Sequence, residues 1–71
     1  IKDQHVNELE FLTEKQKEAL ILAVNRGYYE VDSEVTLKQL ADELGIARST
    51  YGEHLKRAEF GALKMVVSDL L

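Results

Sequence analysis

Two segments of this chain carry the same helix-starting signal, and this repetition constrains the fold more than any other feature. Thr13-Glu14-Lys15-Gln16 and Thr36-Leu37-Lys38-Gln39 each place a glutamine three residues after a threonine. In such a capping box the threonine hydroxyl accepts from the glutamine backbone N–H, while the glutamine side chain accepts from the threonine N–H. The sequence therefore predicts helices that begin next to Thr13 and Thr36.

The first predicted helix has a continuous apolar centre. Residues 19–24 are Ala-Leu-Ile-Leu-Ala-Val, and Gly27 follows as a left-handed terminator, so the helix is expected to end near Arg26. Six consecutive apolar positions extend further around a helix than the ~100° stripe that a surface helix buries. This helix is therefore expected to be central to the fold or to be covered by a second chain.

A glycine turn separates the next two predicted helices. Gly45 ends the second helix, Ile46 fills the corner, and Arg48 opens the third. Apolar residues at helical spacing predict one inner face on each: Leu37, Leu40, Ala41 and Leu44 on the second, and Tyr51, Leu55, Ala58 and Ala62 on the third. Two helices that meet across a tight turn, with polar residues heading the second of them, are typical of a DNA-binding helix-turn-helix.

These patterns together predict an all-α fold class. The chain has no proline and only four glycines, and Tyr28-Tyr29-Glu30-Val31 alone is predicted to form a brief extended run. We expect a small helix-turn-helix domain of three main helices, the third extended into a C-terminal helix. The expected organisation is an N-terminal linker or short helix over residues 1–12, the DNA-binding domain over 13–60 and a helical extension over 61–71.

Composition excludes several classes of protein and site. The 71 residues include no cysteine, which excludes disulfides and thiolate zinc sites, and a charged fraction of 31% leaves no run long enough for a membrane span. The net charge of −4 argues against binding nucleic acid through a global positive field. Residues 47–71 nevertheless carry four basic and three acidic side chains, so any DNA binding must be local. The cytoplasm is the expected compartment.

Three pairs of polar residues are poor candidates for chemistry. His5 and His54 have no partners at metal-ligand spacing, and His54 is expected to be a partly buried structural imidazole. Tyr28-Tyr29 follow a helix-ending glycine and are expected to pack in the core. Asp42-Glu43 point about 100° apart on a helix and are expected at the surface. We therefore predict no enzyme activity, no catalytic residues, no cofactor and no metal.

A family resemblance is carried by motifs that occur in a set order and spacing. They are Leu12-Thr13-Glu14-Lys15-Gln16, Gly27-Tyr28-Tyr29-Glu30-Val31, Leu40-Ala41-Asp42-Glu43-Leu44-Gly45-Ile46 and His54-Leu55-Lys56-Arg57-Ala58-Glu59. From about Leu12 to Glu59 the chain resembles the bacterio-opsin-activator-type helix-turn-helix domain of archaeal transcription regulators. The resemblance implies a module that binds double-stranded DNA, usually at the C-terminus of a longer regulator with an upstream sensory domain. Residue 1 is isoleucine rather than methionine, which agrees with a piece of a longer protein.

The chain departs from this family pattern at three places. Asp32-Ser33 stand where members often have a proline followed by a basic residue, so a phosphate contact is expected to be lost there. Ala47 stands where a serine commonly caps the recognition helix, which forgoes about 1 kcal/mol unless Ser49 shifts the start. Gly52, inside that helix, costs about 1 kcal/mol relative to alanine, and it either permits close approach to the DNA backbone or marks a kink.

The expected recognition surface is the amino-terminal half of the third helix, placed in the major groove. Arg48 is the main candidate for a base contact, because its guanidinium can pair with guanine O6 and N7; its alternative role is a solvated residue at a helix start. Ser49 and Glu53, expected on the same exposed face, can also contact DNA, with capping or simple solvation as the alternatives.

Phosphate contacts are expected around this surface. Lys56 and Arg57 carry long cationic side chains two turns further along the helix. Thr36 and Lys38 open the second helix, where exposed amides and an ammonium attract phosphate, although Thr36 can act as a cap alone. Thr50 is either a phosphate contact or a packing residue. The candidate DNA-binding residues are therefore Thr36, Lys38, Arg48, Ser49, Thr50, Gly52, Glu53, Lys56 and Arg57.

An apolar stripe on the C-terminal extension predicts a homodimer, because the short core cannot cover it. Its residues are Leu63, Val66, Val67, Leu70 and Leu71, and further apolar surface comes from Val6, Leu9, Phe11 and Leu12. Such a dimer would present two recognition helices to half-sites about 34 Å apart. The alternative is that the stripe folds back on the first helix.

A different class of function competes with DNA binding. A helix-turn-helix fold can serve as a protein-interaction or oligomerisation module, and the net charge of −4 favours that reading. Loss of DNA binding on replacing Arg48 and Lys56 would distinguish the two.

Overall fold

Three helices form the part of the chain that the computed structural model describes, residues 12–71. Helix α1 spans Glu14–Asn25, α2 spans Leu37–Leu44 and α3 spans Arg48–Leu70. The long α3 packs against both shorter helices. No strand occurs within these residues, so the predicted all-α class is confirmed. The linker or short helix predicted for residues 1–12, and the apolar residues Val6, Leu9 and Phe11, lie outside the described range apart from Leu12.

Both predicted capping boxes are present. The Thr13 hydroxyl accepts from the Gln16 backbone N–H at 3.2 Å, and the Gln16 side chain accepts from the Thr13 N–H at 3.1 Å. The corresponding distances for Thr36 and Gln39 are 3.2 and 2.9 Å. Each box satisfies two backbone groups at a helix start, which is why α1 and α2 begin where the sequence predicts.

Two glycines in the left-handed region end the short helices. Gly27 has φ +78° and Gly45 has φ +70°. After each helix, the N–H groups of the glycine and of the next residue donate to carbonyls in the last turn, at 2.9–3.1 Å. This arrangement turns Tyr28 and Ile46 back toward the core, where both pack as half-buried side chains.

The predicted extended run at Tyr28-Tyr29-Glu30-Val31 is wrong. The segment between α1 and α2 is a series of turns, in which the Glu30 N–H donates to the Gly27 carbonyl and the Ser33 N–H donates to the Glu30 carbonyl, both at 3.1 Å. The reversal at Gly27 starts these turns, and no strand within residues 12–71 is available to pair with an extended segment.

The core lies where α1 and α2 meet the amino-terminal half of α3. Its buried residues are Ala19, Ala23, Leu40, Ala41, Tyr51, Leu55 and Ala58. Leu37 and Leu44 complete the predicted inner face of α2 as half-buried side chains. On α3 the prediction of Ala62 is wrong in detail, because Gly61 is buried and Ala62 only half-buried. Gly61 and Gln16 of α1 line the same hollow, so α1 approaches α3 on the Gly61 side.

The apolar centre of α1 is covered only in part. Ala19 and Ala23 are buried, whereas Ile21 and Val24 are more than half exposed. One face of α1 therefore enters the core of this chain, and the other is left open to solvent. No helix within residues 12–71 is both long and apolar enough to cross a membrane.

Candidate nucleic-acid interface

The helix-turn-helix predicted from the sequence is present in α2, the turn and α3. The left-handed Gly45 lets the Ile46 N–H donate to the Ala41 carbonyl at 3.1 Å, and α3 begins two residues later at Arg48. The half-buried Ile46 packs against the core at the corner, as expected. The turn thus sets the direction in which the first residues of α3 leave the domain.

The amino terminus of α3 has no side-chain cap. Ala47 occupies the N-cap position with extended backbone angles, φ −67° and ψ 148°, and no side chain bonds the first-turn N–H groups. The Ser49 side chain does not shift the helix start, so the loss of a cap expected at Ala47 is confirmed. The first amide groups of a helix have no partner inside the helix, and they carry its positive dipole end. This end of α3 can therefore accept an anionic group.

The candidate side chains on α3 are divided between two directions. Successive helical residues point ~100° apart, so Ser49, Glu53 and Lys56 share the face opposite the buried Tyr51. Arg48 points about 100° away from Ser49 rather than sharing its face. It lies instead on the same side as Gly52, four residues later, where α3 faces the start of α2.

Gly52 is half-buried at the contact between α3 and α2. A Cβ at this position would lie 3.9 Å from Leu37 Cδ1, which is ordinary van der Waals contact. Helix α3 runs through Gly52 without interruption. Packing within this domain therefore does not require a glycine here.

Two of the predicted phosphate-contacting cations are paired with acids on their own helices. Lys38 Nζ lies 3.1 Å from Asp42 Oδ2, and Arg57 Nε lies 3.5 Å from Glu53 Oε1. All four side chains are exposed, and exposed pairs of this kind contribute little to stability and yield readily to a competing anion. A DNA phosphate can therefore attract Lys38 or Arg57, but the cation then gives up its ion pair with Asp42 or Glu53.

The other two candidate cations, Arg48 and Lys56, are not paired with acids of the described part of the chain. Arg48 and Lys56 are exposed, and neither takes part in any ion pair between residues of the 12–71 range. Neither is enclosed by the fold. Their positive charges are thus presented to solvent, that of Arg48 at the first residue of α3 and that of Lys56 on the face of α3 opposite the buried Tyr51.

The remaining candidates lie near the same end of the domain. Thr36 is exposed and acts as the cap of α2, as one of its two predicted roles requires. Thr50 is exposed rather than packed, and it lines a 330 Å³ hollow together with Lys15, Ile46 and His54. His54 is half-buried, as expected. No group of three or more His, Asp or Glu side chains among residues 12–71 is placed to hold a metal ion.

Two side-chain contacts between distant residues were missed from the sequence. Arg26 Nε and Nη2 donate to the two carboxylate oxygens of Glu43 at 2.8 and 2.7 Å, joining the end of α1 to α2. The hydrogen bonds raise the pKa of Arg26 and lower the pKa of Glu43. Tyr29, expected in the core, is instead 46% exposed and donates from its hydroxyl to Glu59. Burial and the Glu59 carboxylate raise the pKa of Tyr29.

These missed contacts shape the electrostatics of the domain. Asp42 and Glu43 lie at the surface, as expected, yet both are neutralised by cations. Glu53 and Glu59 also have hydrogen-bonding or cationic partners. Asp42, Glu43 and Glu53 are therefore compensated by cations within the domain, which lowers their repulsion toward a phosphate backbone. Glu59 keeps its negative charge, because the phenol of Tyr29 is neutral.

Comparison with known proteins agrees with this geometry. Residues 12–60 match a family model described as an HTH DNA binding domain. The chain is also similar to the dimethyl sulfoxide reductase transcriptional activator of Haloferax volcanii, with 42% identity over 52 residues that cover 73% of this chain and 24% of that protein. The chain thus spans about a quarter of the length of this curated relative. No solved structure matches. The resemblance noted in the sequence is confirmed: the chain belongs to the bacterio-opsin-activator-type family of helix-turn-helix DNA-binding domains.

Proposed function

We propose that this domain recognises duplex DNA in a sequence-specific way, with the amino-terminal half of α3 in the major groove. The observation that carries the proposal is the exposure of Arg48 and Lys56, which stand outside the ion pairs formed among residues 12–71. A long side chain with an uncompensated positive charge at the start of a recognition helix suits contact with a base edge or a phosphate.

Each candidate residue has a distinct role in this proposal. Arg48 pairs with guanine O6 and N7, a contact that discriminates by about 1–3 kcal/mol. Lys56 binds phosphate, and Arg57 does so on leaving Glu53, which is then able to accept from cytosine N4. Around them, small polar groups and exposed amides position the backbone of the duplex: Thr36, Lys38, Ser49, Thr50 and Gly52.

A DNA titration at two salt concentrations tests the proposal. We expect the native chain to bind duplex DNA with an affinity that falls as salt rises, by a slope near −0.9 for each phosphate contact. Replacing Arg48→Ala together with Lys56→Ala should weaken binding and flatten this slope. The matched control is Lys17→Ala, because Lys17 lies on α1 beside Glu14 at 3.4 Å and is not among the candidate residues.

The result decides between the two classes of function considered above. Binding that does not change with salt, or that does not change when Arg48 and Lys56 are replaced, contradicts DNA recognition by this surface and favours a protein-interaction module. An equal loss of binding free energy for each charge removed, in the Lys17→Ala control and in the double variant, would show that only overall charge matters. Selection of bound duplexes from a random pool would then identify the preferred sequence.

We also propose that this domain belongs to a transcription regulator and acts as a homodimer. The regulatory role is supported by the relative from Haloferax volcanii, whose name describes a transcriptional activator and whose length extends well beyond the shared segment. The upstream sensory domain and the cytoplasmic location stay predictions. The dimer is supported by exposed apolar side chains near the end of α3: Leu63, Val66, Val67 and Leu70. Sedimentation of the native chain and of Leu63→Asp over a range of concentrations tests it.

A further inference from the structure

Four of the exposed apolar residues of α3 form a regular repeat. This repeat covers a narrower strip of the helix surface than the apolar stripe predicted for the C-terminal extension. Phe60, Leu63, Val67 and Leu70 follow at intervals of three, four and three, which are the a and d positions of two heptads. They are 54%, 61%, 49% and 79% exposed. We call these four residues the seam.

The seam faces away from the body of the domain. At ~100° per residue its centre lies about 140° around α3 from the core face formed by Tyr51, Leu55 and Ala58. Helices α1 and α2 pack on that core face. The seam approaches α1 only at its first residue, since Phe60 and Gln16 of α1 line the same hollow. Leu63, Val67 and Leu70 follow beyond that hollow and are exposed, so a second helix can pack along them.

The residue types at the seam favour a parallel pair of helices. A β-branched residue at a with leucine at d is the combination that specifies two parallel strands. The seam has leucine at both d positions, Leu63 and Leu70, and Val67 at its second a position, with Phe60 at the first. The charged residues beside the seam favour the same parallel orientation. Glu59 occupies the g position and Lys64 the following e position. In a parallel, in-register pair, Glu59 faces Lys64 of the partner subunit, and symmetry repeats the pair. The Tyr29 hydroxyl of the same chain donates to Oε2 of Glu59, which leaves Oε1 for the partner's Lys64.

An antiparallel pair lacks this complementarity. It sets e positions against e positions and g against g, so Lys64 and Glu59 would not face each other across the contact. From the spacing, the residue types and the charges together, we infer that two copies of this chain pair through the seam as a parallel, in-register coiled coil. The inference deepens the homodimer of the proposed function and rests on it.

This orientation has a consequence for the DNA site. Ser49, Glu53 and Lys56 point in nearly the same direction as the seam, so closing the seam turns the two recognition surfaces toward each other. Arg48 precedes Phe60 by twelve residues, or about 18 Å of helix. The duplex then lies between two diverging amino-terminal halves, as in proteins whose continuous helices fork across the major groove. Adjoining half-sites are expected, closer together than the 34 Å spacing of two helices that bind one face of DNA.

Disulfide cross-linking of single-cysteine variants tests the orientation, because the chain has no cysteine of its own. Phe60→Cys and Leu70→Cys are prepared separately, mixed, and oxidised in a glutathione buffer. In a parallel, in-register pair, two copies of the same variant form a disulfide with each other. Equivalent positions in the two copies then come within the usual 4.4–6.8 Å between Cα atoms. In an antiparallel pair equivalent Phe60 positions lie about 15 Å apart along the axis, so a disulfide forms only between the two different variants.

Two controls make the result specific. Ser68→Cys is exposed and next to Val67, but points away from the seam, so it should cross-link far less than either seam variant. Lys64→Glu should lower cross-linking of Leu70→Cys at low salt, and adding Glu59→Lys should restore it. Because Glu59→Lys also removes the hydrogen bond from Tyr29, these charge variants are compared in a Tyr29→Phe background. The replaced side chains are exposed or half-buried, and circular dichroism confirms that each variant keeps its helices.

The outcomes separate this inference from DNA recognition. Cross-links only in the mixture, none at all, or as many with Ser68→Cys overturn the parallel seam. If that happens while DNA binding still depends on Arg48 and Lys56, the recognition surface stands and the seam is wrong. If the seam variants cross-link as expected while replacing Arg48 and Lys56 leaves DNA binding unchanged, the parallel coiled coil is supported and the proposed recognition surface is contradicted.

Discussion

The hydroxyl of Tyr51 donates a hydrogen bond to the backbone carbonyl of Ala19, across 2.7 Å in the buried centre of the domain. Tyr51 lies in the second turn of the recognition helix, and Ala19 lies in the middle of α1. The bond therefore ties the helix that is proposed to contact DNA to α1, the first of the three helices within residues 12–71. The phenol ring fills the core, and its one polar atom is satisfied there.

Removing this hydroxyl should destabilise the fold without disturbing its shape. We expect Tyr51→Phe to lower the free energy of unfolding by about 1 kcal/mol, the usual net contribution of one hydrogen bond. For a domain of this size that is a fall of roughly 4–8 °C in Tm. Thermal and urea unfolding measure both. Tyr28→Phe is the matched control, since the Tyr28 hydroxyl has no hydrogen bond within residues 12–71 and its loss should change little.

The same residue predicts how stability depends on alkaline pH. Burial, with smaller effects of Tyr28, Glu43 and Glu59, raises the pKa of Tyr51 from 10.0 to about 12. The folded chain thus holds the neutral phenol more tightly than the unfolded chain does. This contribution to stability is complete below pH 10 and is lost as the pH rises toward 12.

Unfolding of the native chain and of Tyr51→Phe between pH 8 and 12 checks this prediction. The native chain should lose more of its free energy of unfolding above pH 10 than the variant does. Parallel curves for the two proteins would contradict the assigned pKa. Tyr29, whose pKa is also raised, contributes to the pH dependence that remains in Tyr51→Phe, so adding Tyr29→Phe should reduce it.

Replacing Gly52 distinguishes a role in folding from a role on DNA. Because a Cβ at this position makes only ordinary contact with Leu37, Gly52→Ala should stabilise the domain by about 0.5–1 kcal/mol through helix propensity. Gly45→Ala should do the reverse, since Gly45 has φ +70°. If Gly52→Ala raises Tm but weakens DNA binding, the backbone of α3 approaches the duplex at this point. Unchanged binding would leave Gly52 without a DNA contact.

A missing cap at the start of α3 gives a prediction of gained stability. Ala47 already has the extended backbone that a capping residue requires, so Ala47→Ser should stabilise the domain by about 1 kcal/mol. Thr36→Ala removes the existing cap of α2 and should cost about as much. Urea unfolding of Ala47→Ser and Thr36→Ala, each made separately in the native chain, measures these opposite changes in the free energy of unfolding. A serine at position 47 that leaves stability unchanged would show that its hydroxyl does not reach the first-turn amides.

Local features of the sequence account for the helices and their ends. Both capping boxes and both left-handed glycines act over three to five residues, so their consequences follow without knowledge of the fold. The ion pairs Lys38–Asp42 and Glu53–Arg57 were overlooked, although four-residue spacing of opposite charges on a helix predicts them. The heptad repeat that begins at Phe60 was likewise visible in the spacing.

Other features depended on which distant residues the fold brings together. Arg26 and Glu43 are 17 positions apart, Tyr29 and Glu59 are 30 apart, and Tyr51 and Ala19 are 32 apart. No periodicity links such pairs, because their contacts depend on how three helices cross. The same packing buries Gly61 rather than Ala62. The sequence by itself determined where helices begin and end, because those signals are local; tertiary packing decided which side chains remain exposed for a partner, because exposure depends on the whole arrangement.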